Sequence, residues 1–505
     1  MDQARDAFLK EDFGGAEAIL YSEEVLKDEQ GRLQQYLSLA SVSFAQGLYE
    51  KAVFYLERSR ELALELRSDR GFEFSSSEYK SNPIEFSRIH FLLVLSRLLL
   101  ADSGQTPSWG VPELRLAAGR VLIPMQAFPA RVYNPREIEE LRTKARADLL
   151  AWDSHLVQLR RSFDGSPLYQ SDPMARILAS FVHGKSPLPR ERRTAELLAE
   201  QAAREVEELK SEIPSFQREE RELSGLISQL AARAKKKATG PDESLFVLDS
   251  GVVPKYRARK VVLGLSTLFR GVEDPVLRVQ LEQIGLRVLL QFAPEFGLLA
   301  FGGAIAGAAT ASGEDQPVYI SDAVDESFGF EMRFPEMVEP EEQLSASLEL
   351  KGEDGHEWSG AAPVLSPLQE ILARETRERG RKEWKEKALK VGLEYLVILI
   401  PAVIAYRQAV MDGDWLKKLA ILAGFFIAKK GIDRLNAPDL RSWALMPSRV
   451  AAACFRLPPG KYQGSWVLQR ASGAVRLPVG PFEIPQGGGR LFFQRWNDSS
   501  AAEIH

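Results

Sequence analysis

Apolar positions in residues 1–67 recur at helical spacing and in duplicate. "DFGGAEAIL" and "LYEKAVFYL" align at a spacing of 36, so Phe13 matches Tyr49, Ala16 matches Ala52 and Leu20 matches Leu56. In a helix, an aromatic, an alanine three positions on and a leucine four beyond that share one face. The alanine lets a neighbouring helix approach closely, and Gly47 suits the turn after a partner helix, "YLSLASVSFAQG". Beyond a loop at 68–84, "FSRIHFLLVLSRLLLAD" is apolar on nearly every side but broken by Arg88, His90 and Arg97. That pattern predicts an inner helix of an array, because a membrane span needs about 20 predominantly apolar residues. "SDPMARILASFVHG" starts as a helix should, with Asp172 or Ser171 as cap, Pro173 in the first turn and Gly184 at the end. "RERRTAELLAEQAAREVEELKSEI" and "FQREERELSGLISQLAARAKKK" predict two amphipathic, charge-laced helices.

The duplicated aromatic-x-x-Ala-x-x-x-Leu pattern resembles the tetratricopeptide repeat, a helix pair of about 34 residues. The usual tryptophan of that repeat is missing. Residues 1–237 are therefore expected to form an all-helical, tetratricopeptide-like domain. Phe13, Ala16, Leu20, Tyr49, Ala52 and Leu56 are its candidate partner-binding face.

A lysine run and Gly240-Pro241 mark a linker. After it the period changes. "SLFVLDSG", "KVVLGLSTLF", "PVYISDA" and "LSASLELKG" carry the β-branched and apolar content of strands with turn residues between them, so 245–360 is expected to be mixed and mainly β. From 364 to 445 a helical hairpin is expected. Ser366, Pro367 and Gln369 have the spacing of a capping box with proline in the first turn. Two apolar runs follow, "YLVILIPAVIAY" and "LAILAGFFIA", each too short for a straight bilayer span. They suit a buried hairpin, or contact with a partner's groove or a membrane surface through Leu396, Ile398, Phe425 and Phe426. Turn signals then punctuate 446–498, which predicts a small antiparallel sheet or sandwich. The predicted fold class is thus α+β and multidomain: a helical array, a mixed segment with an apolar hairpin, and a C-terminal β module.

Composition narrows the function only slightly. The chain has 505 residues, 45% hydrophobic and 27% charged, with a net charge of −5. This is a folded chain without the strongly basic face that nucleic-acid binding requires, so no nucleic-acid partner is expected. The single cysteine, Cys454, lies among small and apolar residues and reads as a buried core thiol. "MDQARDAFLKEDFGG" mixes charges and has no apolar signal core, which fits a cytoplasmic protein or numbering that starts at a mature end.

The order of features in "NAPDLRSWALMPSRVAAACFRLPPGKY" is more specific. Asp439, Leu440, Arg441, Ser442 and Trp443, followed by Leu457, Pro458, Pro459 and Gly460, resemble a family of bacterial envelope proteins with N-terminal helical repeats, many of them lipoproteins. "SLFVLDSGVVPKYRARKVVL" is similar to that family's strand followed by a G-x-x-P turn, here Gly251 and Pro254. The resemblance implies a periplasmic setting, outer-membrane anchoring of a precursor, and cell-envelope partners. The stretch itself reads as a structural joint rather than a catalytic site. In it Trp443 covers the end of the hairpin, Arg441 bonds Asp439 or free helix carbonyls, and Met446-Pro447 stops further helix.

Catalytic and metal chemistry find little footing in the residue pattern. None of the five histidines (His90, His155, His183, His356, His505) lies three or four residues from another histidine or from Cys454. His356, in "EDGHEW", reads as part of a solvated hairpin turn. "FGGAIAGAATASGEDQ" lacks the Lys-Ser/Thr of a phosphate loop. Glu139-Glu140 and Glu341-Glu342 are carboxylate pairs of the sort that decorate surfaces. The expected function is a non-catalytic scaffold of an envelope complex, without cofactor or metal and capable of homo-oligomerisation. The alternatives are a membrane-interface subunit inserting 395–428, and a cell-wall glycan hydrolase.

Overall fold

The computed structural model describes residues 1–28, 30–66, 79–115, 121–161, 169–186, 188–235, 243–254, 256–263, 330–337, 345–377, 441–470, 473–486 and 489–497, with scattered positions between 405 and 428. The fold is mixed α and β. Two compact units are present. One comprises Met1–Tyr256, Met337–Glu375 and Arg441–His505, and the other Arg257–Glu336 and Thr376–Leu440. Segments expected as successive modules, 1–237 and 446–498, thus lie together in the first unit.

The first unit opens with helical hairpins. α1 (Asp2–Leu9) packs on α2 (Phe13–Leu20); after α3 (Glu23–Lys27), α4 (Arg32–Ala45) packs on α5 (Tyr49–Glu65). Phe13 and Tyr49 each open the second helix of a pair, and Ala16 and Ala52 are fully buried, so these helices pack at close range. Gly47 turns the second hairpin at φ +75°, a left-handed conformation that a side chain would disfavour.

α6 (Pro83–Ser103) is buried on nearly all sides, as its continuous apolar pattern requires. Its start is locked by a capping box. Asn82 Oδ1 accepts from the N–H groups of Ile84 and Glu85 at 3.0 and 2.9 Å, and Glu85 Oε2 accepts from the Asn82 N–H at 3.0 Å. α7 (Pro135–Arg161), α8 (Pro173–Gly184), α9 (Pro189–Leu209), α10 (Pro214–Arg218) and α11 (Glu220–Lys235) complete the helices, with α7 against α6 and both α8 and α11 against α9.

Residues 1–237 are not all helical. Between α6 and α7 the chain forms a two-stranded ribbon of nested pairs. β1 (Gln105–Thr106) pairs with β6 (Arg131–Val132), β2 (Trp109–Val111) with β5 (Gln126–Phe128), and β3 (Leu114–Arg115) with β4 (Val121–Ile123). Each strand is two or three residues long, too short for alternation to register in the sequence. The ribbon is held at its base by side chains. Trp109 stacks on Phe128 with centroids 3.9 Å apart, and its indole N–H donates to Glu50 on α5 at 2.9 Å.

Two four-stranded sheets follow. The first has the order β12 (Val364–Ser366), β13 (Arg449–Arg456), β7 (Glu243–Ser250), β16 (Leu491–Trp496). The second has the order β11 (Glu357–Ala362), β10 (Ser345–Gly352), β14 (Gly460–Arg470), β15 (Gly473–Ile484). Alternation along β7 explains its unbroken apolar run. Leu245 and Val247 face the helical core, while Phe246 and Leu248 join a second core with Leu348 and Leu350 of β10 and Trp466 of β14. The first sheet is therefore covered by helices on one face and by the second sheet on the other.

The C-terminal segment does not form a self-contained antiparallel sheet, as the sequence had suggested. β13 and β16 flank β7, β16 runs parallel to it, and β14 and β15 belong to the other sheet. Burial of β7 on both faces and both edges rewards this distant pairing more than a local meander would. The expected capping box at Ser366 is also replaced. Ser366 ends β12 and donates its hydroxyl to Asp172 at 2.6 Å, and the Gln369 N–H donates to Ser448 O at 3.0 Å. Cys454 is buried, on the helix-facing side of β13.

β8 (Tyr256–Leu263) and β9 (Phe330–Met337) pair as a two-stranded ribbon. In the second unit, residues 416–417, 420–421, 423–424 and 427–428 are helical. Among the described residues no helix is long and apolar enough to cross a membrane. Leu396, Ile398, Phe425, Phe426, the strand expected at "PVYISDA" and the Gly/Ala-rich run lie outside the described residues.

Candidate functional site

Among the described residues, a groove of about 670 Å³ lies where the ends of α6 and α8 meet α7, the start of α9 and the approach to β16. That volume lies within the range of roughly 300–1,000 Å³ typical of ligand sites. Its apolar surface comes from Leu98 and Ala101 on α6, Phe181 and Val182 on α8, and Leu491 on β16. Leu188, just before α9, projects at the rim with 59% of its surface exposed.

Charged side chains ring this surface, and most are held in place. Asp102 Oδ2 accepts from the Leu491 N–H at 3.1 Å and lies 4.0 Å from Lys185 Nζ, so it ties the end of α6 to β16. The Lys185 ammonium sits 4.6 Å from the centre of the Phe181 ring, a cation–π arrangement. Glu139 is shared by Arg146 at 3.3 Å and Arg142 at 3.7 Å. His183, at the end of α8, bonds Glu191 and holds that carboxyl below the usual range. Among the described residues, the Arg490 guanidinium meets no carboxylate; its backbone is engaged, its N–H donating to Ser244 Oγ at 3.2 Å and its carbonyl accepting from the Leu245 N–H at 3.0 Å. Such a surface can bury apolar side chains and pair with charge. A second depression of about 660 Å³, on the outer face of β10, β14 and β15, is shallower, and its charges are mutually paired as Lys351–Glu357 and Arg476–Glu349.

Away from the groove, buried charge ties the same helices and strands together. Arg88 on α6 is 3% exposed and pairs with Asp249 on β7, which is fully buried. Arg495 lies opposite Asp249 on the neighbouring strand, and desolvation lowers its guanidinium to about 10, still cationic at neutral pH. Asp172 caps α8 by accepting from the Met174 N–H at 3.0 Å. It also accepts from the Tyr169 hydroxyl at 2.9 Å and the Ser366 hydroxyl at 2.6 Å. One carboxylate thereby joins the start of α8 to the end of β12.

Burial raises the Asp172 carboxyl from 3.8 to about 6, against the opposing pull of those hydrogen bonds. The folded chain thus holds this proton more tightly than the unfolded chain does. The associated stability is fully present below about pH 4 and lost as pH rises through 6, a span worth about 3 kcal/mol. Glu219, raised to about 6 by burial, acts in the same direction. His90, lowered to about 3 by burial, acts in the opposite one, because it must be charged as the chain unfolds in acid. Asp172→Asn keeps the acceptor for Met174 and Ser366. Chemical denaturation at pH 4 and pH 7 is expected to show a stability decline smaller in the variant than in the wild type. Equal declines would remove Asp172 from the account.

The residues singled out in the sequence fall in different places. Ala16, Leu20, Ala52 and Leu56 are fully buried between helices, so they cannot form a partner-binding face. Phe13 and Tyr49 are half-buried and pack on the same core. The repeat pattern encodes helix packing, and its small alanines serve close approach between paired helices. Trp443 is buried; the hairpin end that it was expected to cover lies outside the described residues. Its backbone N–H donates to Glu85 Oε1 at 2.7 Å and its indole N–H to Ser41 Oγ at 3.0 Å, so it docks on α6 and α4. Asp439 lies outside the described residues, so the Arg441–Asp439 pair is not on view. His356 sits in the β10–β11 turn, where its N–H donates to Asp354 Oδ1 at 3.0 Å.

The groove was not anticipated. Its residues come from four separate stretches and share no motif. The Asn82–Glu85 capping box was readable as N-x-x-E before an apolar run, and it would have pointed to Glu85. No family model, curated protein or solved structure matches this chain.

Proposed function

We propose that this chain is a non-catalytic assembly subunit of a bacterial cell-envelope complex, and that it receives a segment of a partner protein in the groove bounded by α6, α8, α9 and β16. The observation that carries this reading is the groove itself, an apolar cleft of about 670 Å³ rimmed by charge and with Leu188 exposed at its edge. Two further features support it. The paired helices, with Phe13 and Tyr49 opening matched second helices, suit a tetratricopeptide-like array, an architecture built for binding extended partners. The Asp439–Trp443 and Leu457–Gly460 motifs resemble the envelope family. In this reading the chain works in the periplasm beside other envelope proteins.

The test is site-specific photo-crosslinking in native envelopes. With a photoreactive residue at Leu188, a discrete cross-linked envelope protein is expected. The same residue at Leu197, exposed on α9 but outside the groove, should not capture it. Equal capture at both positions, or a free monomer confined to the cytoplasm, would overturn the proposal.

A further inference from the structure

The charge of the groove specifies the kind of segment it takes. Its lining holds four fixed cations, Arg142, Arg146, Lys185 and Arg490, against three carboxylates, Asp102, Glu139 and Glu191. Each carboxylate is already committed. Asp102 holds the Leu491 N–H beside Lys185, Glu139 serves two arginines at once, and Glu191 is bonded to His183. The surplus is positive and localised. Arg490 meets no carboxylate among the described residues, and Arg142 has only a 3.7 Å contact with a glutamate that Arg146 approaches more closely. These cations border apolar surface contributed by Leu98, Phe181, Leu188 and Leu491.

Resting on the assignment of the groove as the docking site, we propose that it selects an acidic, leucine-like segment of a partner protein. Apolar side chains of that segment are buried along the floor, and its carboxylates reach Arg490 and Arg142. Rim charges of this sort contribute mainly to selectivity and to salt-dependent association. A neutral apolar segment would leave Arg490 beside the interface without a counter-charge, and a basic one would be repelled.

The experiment is fluorescence polarisation with the full chain and three short fluorescein-labelled peptides built from leucine and glutamate, leucine and glutamine, or leucine and lysine. The glutamate peptide is expected to bind about tenfold more tightly than the lysine peptide, with an affinity that falls as salt is raised. Arg490→Glu should weaken the glutamate peptide about tenfold and narrow its advantage over the lysine peptide, with an unchanged melting temperature. Arg142→Glu, on an exposed turn of α7, provides a second variant away from the sheet. Equal binding of the glutamate and glutamine peptides, with no effect of either variant, overturns the charge selection. Failure of all three peptides to bind overturns the acidic class while a Leu188-specific cross-link in native envelopes keeps the docking site. Loss of both results removes the docking site as well.

Discussion

Asp249→Leu is expected to destabilise the first unit by about 3–5 kcal/mol, the cost of leaving buried charge uncompensated. Asp249 is fully buried on β7, where it pairs with Arg88 of α6 and faces Arg495 on β16. Its removal leaves Arg88, 3% exposed, without its direct partner and with only the longer-range charge of Asp172, and exposes it to repulsion from Arg495. A combined Arg88→Met, Asp249→Leu, Arg495→Met variant should behave differently. Taking three charges out of water costs roughly what their attraction returns, so a well-packed apolar replacement is expected within about 2 kcal/mol of wild type. Urea denaturation of the single and triple variants decides the matter. A triple variant as unstable as the single one would show that the cluster contributes net stability, and a harmless single variant would show that water reaches it.

Trp443→Ala is expected to cost about 3–5 kcal/mol, the usual range for emptying a buried tryptophan site. Trp443 is 1% exposed, and it is the point at which the chain returning to β13 is tied to the helices. Its N–H occupies the second oxygen of Glu85, whose first oxygen closes the capping box of α6. One carboxylate therefore fixes both a helix start and the docked tryptophan. Trp443→Phe keeps most of the apolar volume and gives up only the indole bond to Ser41, a loss of about 1 kcal/mol. Hydrogen exchange should report the large variant as faster exchange at the start of α6 and along α4. A loss spread evenly over the unit, or one equal for alanine and phenylalanine, would show that the residue acts by another route.

Much of the local structure was legible from spacing alone. The helix over Pro173–Gly184, the inner character of α6, the strands at β7 and β10 and the buried state of Cys454 follow from period, caps and composition. These depend on residues within a few positions of one another, where backbone geometry is strict. The repeat at Phe13 and Tyr49 was legible as a pattern, and its alanines and leucines are buried within the chain. A small residue on an apolar face signals close packing, and the sequence does not say whether the neighbour belongs to the same chain.

What the amino-acid sequence by itself determined is therefore the character of the longer periodic segments and the face each must bury. Tertiary structure alone decided their partners. β16 lies parallel to β7 because that edge completes a sheet covered on both faces, a gain that no local turn signal announces. Trp443 went to Ser41 and Glu85 because two hydrogen-bonding groups and the apolar core coincide there. The groove owes its existence to four distant stretches meeting, and the charge of Arg490 matters only because the carboxylates of the groove are already taken.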